Sequence, residues 1–126
     1  MYSEAELINY CLSKKGAVQE YPFGPDATVM KVGGKMFALI PVSGGQGQVS
    51  ISLKCDPLIA ANLREQHACV QPGYHLNKTH WNTVIADGSL ELSDVQMMID
   101  HSYDLVFASL TKAAREAISL RIGGNS

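Results

Sequence analysis

Gly33 and Gly34 stand between two apolar runs, Ala27–Val32 and Lys35–Val42, and that arrangement leaves the chain few choices. Paired glycines accept the positive φ angles of a two-residue hairpin turn, and the flanking residues are β-branched or aliphatic. The spacing predicts an antiparallel hairpin in which Met30 faces Phe37 and both point to the core. Lys31 then points to the opposite face, with Met36 and Ala38. A third strand follows at Val49–Lys54. Val49, Ile51 and Leu53 alternate with Ser50, Ser52 and Lys54, so one face is buried and the other meets water or a partner. The intervening SGGQGQ segment reads as a long hairpin loop. It lacks the Gly-Lys-Ser/Thr ending of a phosphate-binding loop and joins two strands rather than opening a helix.

Helices frame these strands. Ser3 and Glu6 form a capping box before the stripe Leu7, Ile8, Cys11 and Leu12, and Gly16 stops that helix. Lys14 and Lys15 occupy its last turn, where the helix dipole favours cations. Asp56-Pro57 caps a second helix that runs to about Gln66. The stretch Ala68–Ala86 reads as two short strands around the polar connection Gly73–His80. Ser93 begins the longest helix, with Gln96 closing a capping box and Leu92 stapled to Met97. A last helical segment lies near Lys112–Leu120 and ends at Gly123-Gly124. The order α-β-β-β-α-β-β-α implies an α+β fold: a two-layer sandwich, mostly antiparallel sheet, with the helices on one face.

A chain of 126 residues, 46% hydrophobic and 17% charged, can bury a core without metal or disulfide staples, which predicts one domain over 1–126. Cys11, Cys55 and Cys69 are odd in number and form no C-x-x-C pair, which favours a reducing compartment. The segment MYSEAELINYC carries two acids and no long apolar run, so it does not read as a signal peptide. No stretch approaches the about 18 apolar residues of a membrane span. The expectation is a cytoplasmic protein.

The net charge of −2 is unevenly spread. Between Lys31 and Ala86 the balance is +3, while the first thirty residues sum to −2 and the last forty to −3. Three of the four histidines, His67, His75 and His80, share that middle segment. A local positive field can therefore exist on an acidic molecule. The densest stretch is Tyr74–Thr83, where aromatics, imidazoles, Lys78 and the amides of Asn77 and Asn82 sit between two strands. Such groups stack on bases, bind phosphate and hydrogen-bond base edges. They also serve structure, since Trp81 can plug a core and Asn77 can cap a turn.

Catalytic arrangements find little support. His75 and His80 are spaced for neither one helix face nor alternate strand positions, so no metal site is expected. Cys55 neighbours a helix N-terminus, which lowers a thiol pKa, but its place in the alternation points inward. Asp100 and His101 are adjacent and point apart, and His101 with Asp104 is a surface i,i+3 pair. The chain reads as a non-enzyme without a cofactor.

The segments Tyr21-Pro-Phe-Gly-Pro-Asp26, Lys31-Val-Gly-Gly-Lys-Met-Phe-Ala38, Ser52-Leu-Lys-Cys-Asp-Pro57 and Gly73-Tyr-His-Leu-Asn-Lys-Thr-His-Trp-Asn-Thr-Val84 resemble the MmcQ/YjbR family of small bacterial proteins. Asp87-Gly88 and Asp100-His-Ser-Tyr103 extend the likeness over nearly the whole chain. The resemblance implies a fold similar to type III secretion chaperones and the CyaY-like group, and a DNA-binding role. The motif positions that would serve it are Lys31, Lys35, Lys54, His75, Asn77, Lys78, His80 and Trp81, on an open sheet face together with the His75–Trp81 loop. By analogy with the chaperone-like fold, the alternative partner is a protein or peptide, which would make the chain an adaptor.

Overall fold

The computed structural model describes residues 2–42, 48–73 and 76–125, with 121–125 as backbone only. Most of the SGGQGQ segment, together with Tyr74 and His75, lies outside the described residues. Helix α1 (Glu4–Leu12) leads into strands β1 (Val18–Glu20), β2 (Ala27–Val32), β3 (Lys35–Pro41) and β4 (Ser50–Lys54). Helix α2 (Pro57–Gln66), strands β5 (Val70–Pro72) and β6 (Trp81–Ile85), and helices α3 (Leu92–Ser109) and α4 (Lys112–Asn125) complete the chain. Among the described residues the six strands form one antiparallel sheet in the order β1-β2-β3-β4-β6-β5. The fold is α+β, as the element pattern implies, with one strand more than the sequence shows. That strand, β1, is a three-residue edge, too short to display any alternation.

The hairpin forms where the glycines require it, with φ of 58° at Gly33 and 81° at Gly34. Val32 pairs with Lys35 and Lys31 with Met36, but the register then slips and Met30 faces Ala38. Phe37 is the extra residue of a β-bulge. The expected Met30–Phe37 pairing is therefore corrected, although both side chains are fully buried in the core. Ala38, expected beside Lys31, is carried to the core face by the same slip.

Register sorts the remaining residues into two faces. Ala38, Leu53 and Asn82 pair in succession, with Ile51 opposite Val84 and Val84 opposite Val70 one step along. This inner face packs on α2 and α3. The Ser102 hydroxyl of α3 accepts the Lys54 amide at 2.9 Å and donates to the Phe37 carbonyl at 2.6 Å. Asn82 Nδ2 donates to the Ala60 carbonyl of α2 at 3.3 Å. On the inner side Phe37 also meets Tyr103 edge-on, with ring centroids 5.4 Å apart.

The outer face carries the row Glu20, Val29, Leu39, Ser52, Thr83 and Gln71. Its middle is closed rather than open, because Val29 is only 1% exposed and Ser52 3%. The Ser52 and Thr83 hydroxyls lie 2.8 Å apart, so Ser52 meets a neighbouring strand instead of water.

Helix ends follow local chemistry, although α1 stops at Leu12, so Lys14 and Lys15 lie beyond its last turn and Gly16 does not end it. Ser3 and Glu6 complete their capping box, and Asp56 Oδ1 accepts the amides of Leu58 and Ile59. The N-cap of α3 is Glu91, two residues before Ser93, with the Glu91 amide donating to Asp94 Oδ2 at 3.0 Å. This acidic pair replaces the expected Ser93–Gln96 box and suits the positive end of the dipole, and Met97, expected to staple to Leu92, is exposed. Among the described residues no helix is long and apolar enough to cross a membrane.

Candidate nucleic-acid interface

Lys54, the last residue of β4, stands directly opposite Trp81, the first residue of β6. Strand alternation puts both on the outer face, and Trp81 is half-buried there rather than in the core. The turn that delivers Trp81 is built by Asn77. Its Oδ1 accepts the Thr79 amide at 2.9 Å and the His80 amide at 3.3 Å, so this side chain is committed to turn geometry. The His80 carbonyl accepts the Cys55 amide at 2.8 Å, which holds the turn against the end of β4. Arg64 of α2 donates through Nη1 to the Lys78 carbonyl at 2.7 Å. The turn is thereby tied to both strand and helix, while the side chains of Lys78 and His80 remain exposed.

Charge pairing distinguishes these cations from the others. Among the described residues the ion pairs are Lys14 with Asp100 and Lys31 with Glu20, the latter at 3.1 Å. Lys31 is on the outer face as expected, but Glu20 from the unforeseen β1 neutralises it. Lys35, paired with the buried Val32, does not share that face. Its Nζ lies 3.4 Å from Ser109 Oγ and 3.5 Å from the Ser109 carbonyl, at the C-terminal end of α3, where the helix dipole favours a cation. Of the eight positions singled out from sequence, the structure gathers Lys54, Lys78, His80 and Trp81 at one end of the sheet. Asn77 supports them. Lys31 and Lys35 go elsewhere, and His75 lies outside the described residues. Arg64 joins the cluster unforeseen, because nothing local in α2 reveals the turn it reaches.

The groups that resembled catalytic arrangements are otherwise engaged. His101 Nε2 accepts the Asp56 amide at 3.2 Å, rather than pairing with Asp104 at the surface. Asp100 accepts from the Tyr10 hydroxyl at 2.6 Å and pairs with Lys14. Cys55 is buried, and burial together with the Asp56 carboxylate pushes its thiol up, opposite to what a nucleophile needs. Among the described residues no group of three or more His, Cys, Asp or Glu side chains is placed to hold a metal.

A concavity that the sequence did not reveal lies on the inner side of the sheet. It encloses about 510 Å³ between α2 and α3, above Leu53, Asn82 and Val84.

The family model YjbR matches residues 12–105. The Escherichia coli K12 protein YjbR, itself named as uncharacterised, is 39% identical over 114 residues, covering 90% of this chain and 95% of that protein. The chain belongs to the YjbR family. The E. coli O157:H7 protein YbdF, likewise named as uncharacterised, is 34% identical over 98 residues, 78% of this chain and 79% of its own. In structure, a Deinococcus radiodurans protein with the family-model domain DUF419 superposes with a TM-score of 0.85 at 33% identity, over 94% of this chain and 89% of that one. A Pseudomonas syringae protein superposes at 0.72 with 26% identity, over 83% and 99%. The YjbR assignment thus rests on sequence and fold together, and the family model spans the Lys54–Trp81 end of the sheet.

Proposed function

We propose that this YjbR-family chain is a cytoplasmic DNA-binding protein and not an enzyme, and that it engages the single-stranded form. The observation that carries this reading is the direct cross-strand placement of Lys54 beside Trp81 on the outer face. An indole offers any base a stacking surface, and an ammonium group beside it meets the backbone phosphate. Lys78, Arg64 and His80 extend the positive end, and no carboxylate among the described residues is ion-paired with Lys54, Arg64 or Lys78. The closed middle of the outer face, with Val29 and Ser52 buried, restricts contact to this end. A duplex read through its grooves calls for a protruding helix or ribbon, whereas a short strand end with one ring suits an unpaired base.

Fluorescence anisotropy with single-stranded and duplex DNA, at about 50 and about 200 mM salt, tests the reading. The wild type binds the single strand more tightly and loses affinity steeply with salt. Lys54→Ala/Lys78→Ala lowers the slope of log affinity against log salt by about 1 to 2. Equal weak binding by both proteins would remove DNA from this surface.

A further inference from the structure

The cavity between α2 and α3 has a composition unlike that of the outer face. Its floor is Leu53, Asn82 and Val84 of the inner sheet face, and its walls are Ile59 and Leu63 on one side and Met97 and Met98 on the other. Met97 is 71% exposed at the mouth, leaving apolar surface in water beside an apolar hollow. A volume of about 510 Å³ lies within the range of sites that enclose small molecules.

Asn82 is the one feature of the floor that an apolar hollow does not explain. The side chain is 3% exposed, and its Nδ2 donates to the Ala60 carbonyl. That carbonyl can only accept, so the amide orientation is fixed and Oδ1 is the atom left over. Oδ1 has no hydrogen-bond partner among the described residues. A buried carbonyl oxygen without a donor is unfavourable, and native structures rarely keep one except where a ligand or water completes it. The walls offer alkyl groups and thioethers, which suits apolar surface and leaves a peptide backbone, with a donor and an acceptor at every residue, largely unsatisfied. The lining also holds Lys54, Asp94, His67, His101 and Ser89, but Lys54 and Asp94 offset each other in charge, Asp94 already accepts the Glu91 amide and His101 the Asp56 amide, so net charge on a ligand gains little.

We propose that this groove binds a small, uncharged, largely apolar molecule carrying one hydroxyl or N–H donor, which is accepted by Asn82 Oδ1. The site lies across the sheet from Trp81, since Asn82 and Trp81 alternate to opposite sides of β6, and Lys54 stands where the two regions meet.

Indole and N-methylindole form a matched probe pair that differs in one donor. Titration of the ¹⁵N-labelled full chain, followed by amide shifts, reads the site directly. Indole is expected to shift the amides of Leu53, Asn82, Val84 and Ile59 saturably, and N-methylindole to bind about tenfold more weakly. Met97→Trp fills the mouth from an exposed position, so the fold and its dispersed spectrum persist while the indole shifts vanish. Equal affinity for the two probes, no saturable shift at these amides, or shifts that survive Met97→Trp would each overturn the proposal. Displacement of indole by an amphipathic Leu-Lys peptide at lower concentration would also overturn it, in favour of protein docking.

Discussion

Ser102 donates its hydroxyl to the carbonyl of Phe37 at 2.6 Å, joining α3 to the residue that the β2–β3 bulge displaces. The same oxygen accepts the Lys54 amide at 2.9 Å. The β3–β4 ladder is paired only at Ala38–Leu53 and Leu39–Ser52, so one buried hydroxyl bridges the two strands just beyond where their pairing stops. Ser102→Ala removes a partner from two main-chain groups at once. The expected cost is about 2–4 kcal/mol, taking about 1–3 for each buried group left unpaired and allowing for relaxation. Urea unfolding followed by circular dichroism checks it, and a change within about 0.5 kcal/mol would show that water replaces the hydroxyl without penalty.

Tyr2 is buried, and its hydroxyl has no hydrogen-bond partner among the described residues. Tyr2→Phe deletes only that oxygen and is expected to stabilise the fold by about 0.5–2 kcal/mol, measured by urea unfolding at neutral pH. Titration provides a second readout. Burial, then the nearby Cys69 and Asp87, pushes the Tyr2 phenol up to about 12 from an ordinary 10.0. Burial pushes the Cys11 thiol up to about 12 from 9.0, against the opposing pull of Lys14. Both groups keep their protons longer in the folded state, so the unfolded chain ionises first as pH rises. Their contribution is fully present below pH 9 and is lost between pH 9 and 12. Tyr2→Phe is expected to flatten the part of that decline above pH 10 and leave the part due to Cys11.

What the sequence made legible was local. Gly33-Gly34 specified the hairpin, Asp56-Pro57 placed the start of α2, and the start read for the longest helix at Ser93 fell within two residues of its N-cap. The Lys54–Trp81 contact was half legible. Alternation put Lys54 outward, but its neighbour depends on β6 lying between β4 and β5, an order that no adjacent residues encode. The bulge at Phe37 defeated a simple count of alternation and moved Ala38 to the core. At α3, Ser93 looked like the better cap. Glu91 with Asp94 prevails because the chain enters the helix two residues earlier. The groove was invisible because it depends on how far apart α2 and α3 stand, which is set by what they pack on and not by either helix.

The two turn glycines are expected to differ in what they tolerate. Both have left-handed φ, which strains any side chain. A Cβ on Gly33 would also fall 2.6 Å from Leu110 Cδ1, whereas one on Gly34 would meet nothing within 4 Å. Gly33→Ala is therefore expected to cost about 2–3 kcal/mol, through strain plus displacement of a core leucine. Gly34→Asn should cost under about 1 kcal/mol, since Asn tolerates this conformation. Thermal unfolding of the pair separates the two terms. Equal losses would mean that Leu110 moves aside freely.

Gly73 offers a way to move Trp81 without mutating it. A Cβ at this position would lie 2.7 Å from the Trp81 Cβ and 3.0 Å from its carbonyl oxygen. That oxygen already accepts the Gly73 amide at 2.8 Å, so the backbone cannot withdraw without losing the bond. Gly73→Ala is expected to push Trp81 away from its place opposite Lys54, at a cost of about 1–3 kcal/mol. Trp81 is the sole tryptophan, so its emission maximum reports the displacement directly. Gly24→Ala is the control. Its Cβ would meet nothing within 4 Å, so it carries only the strain of its positive φ and should leave the emission unchanged. If Trp81 stacks on DNA, Gly73→Ala should weaken single-strand binding while leaving the salt slope intact, because a ring has moved and no cation has been removed. A fall in the salt slope would instead mean that the turn bearing Lys78 moved with it.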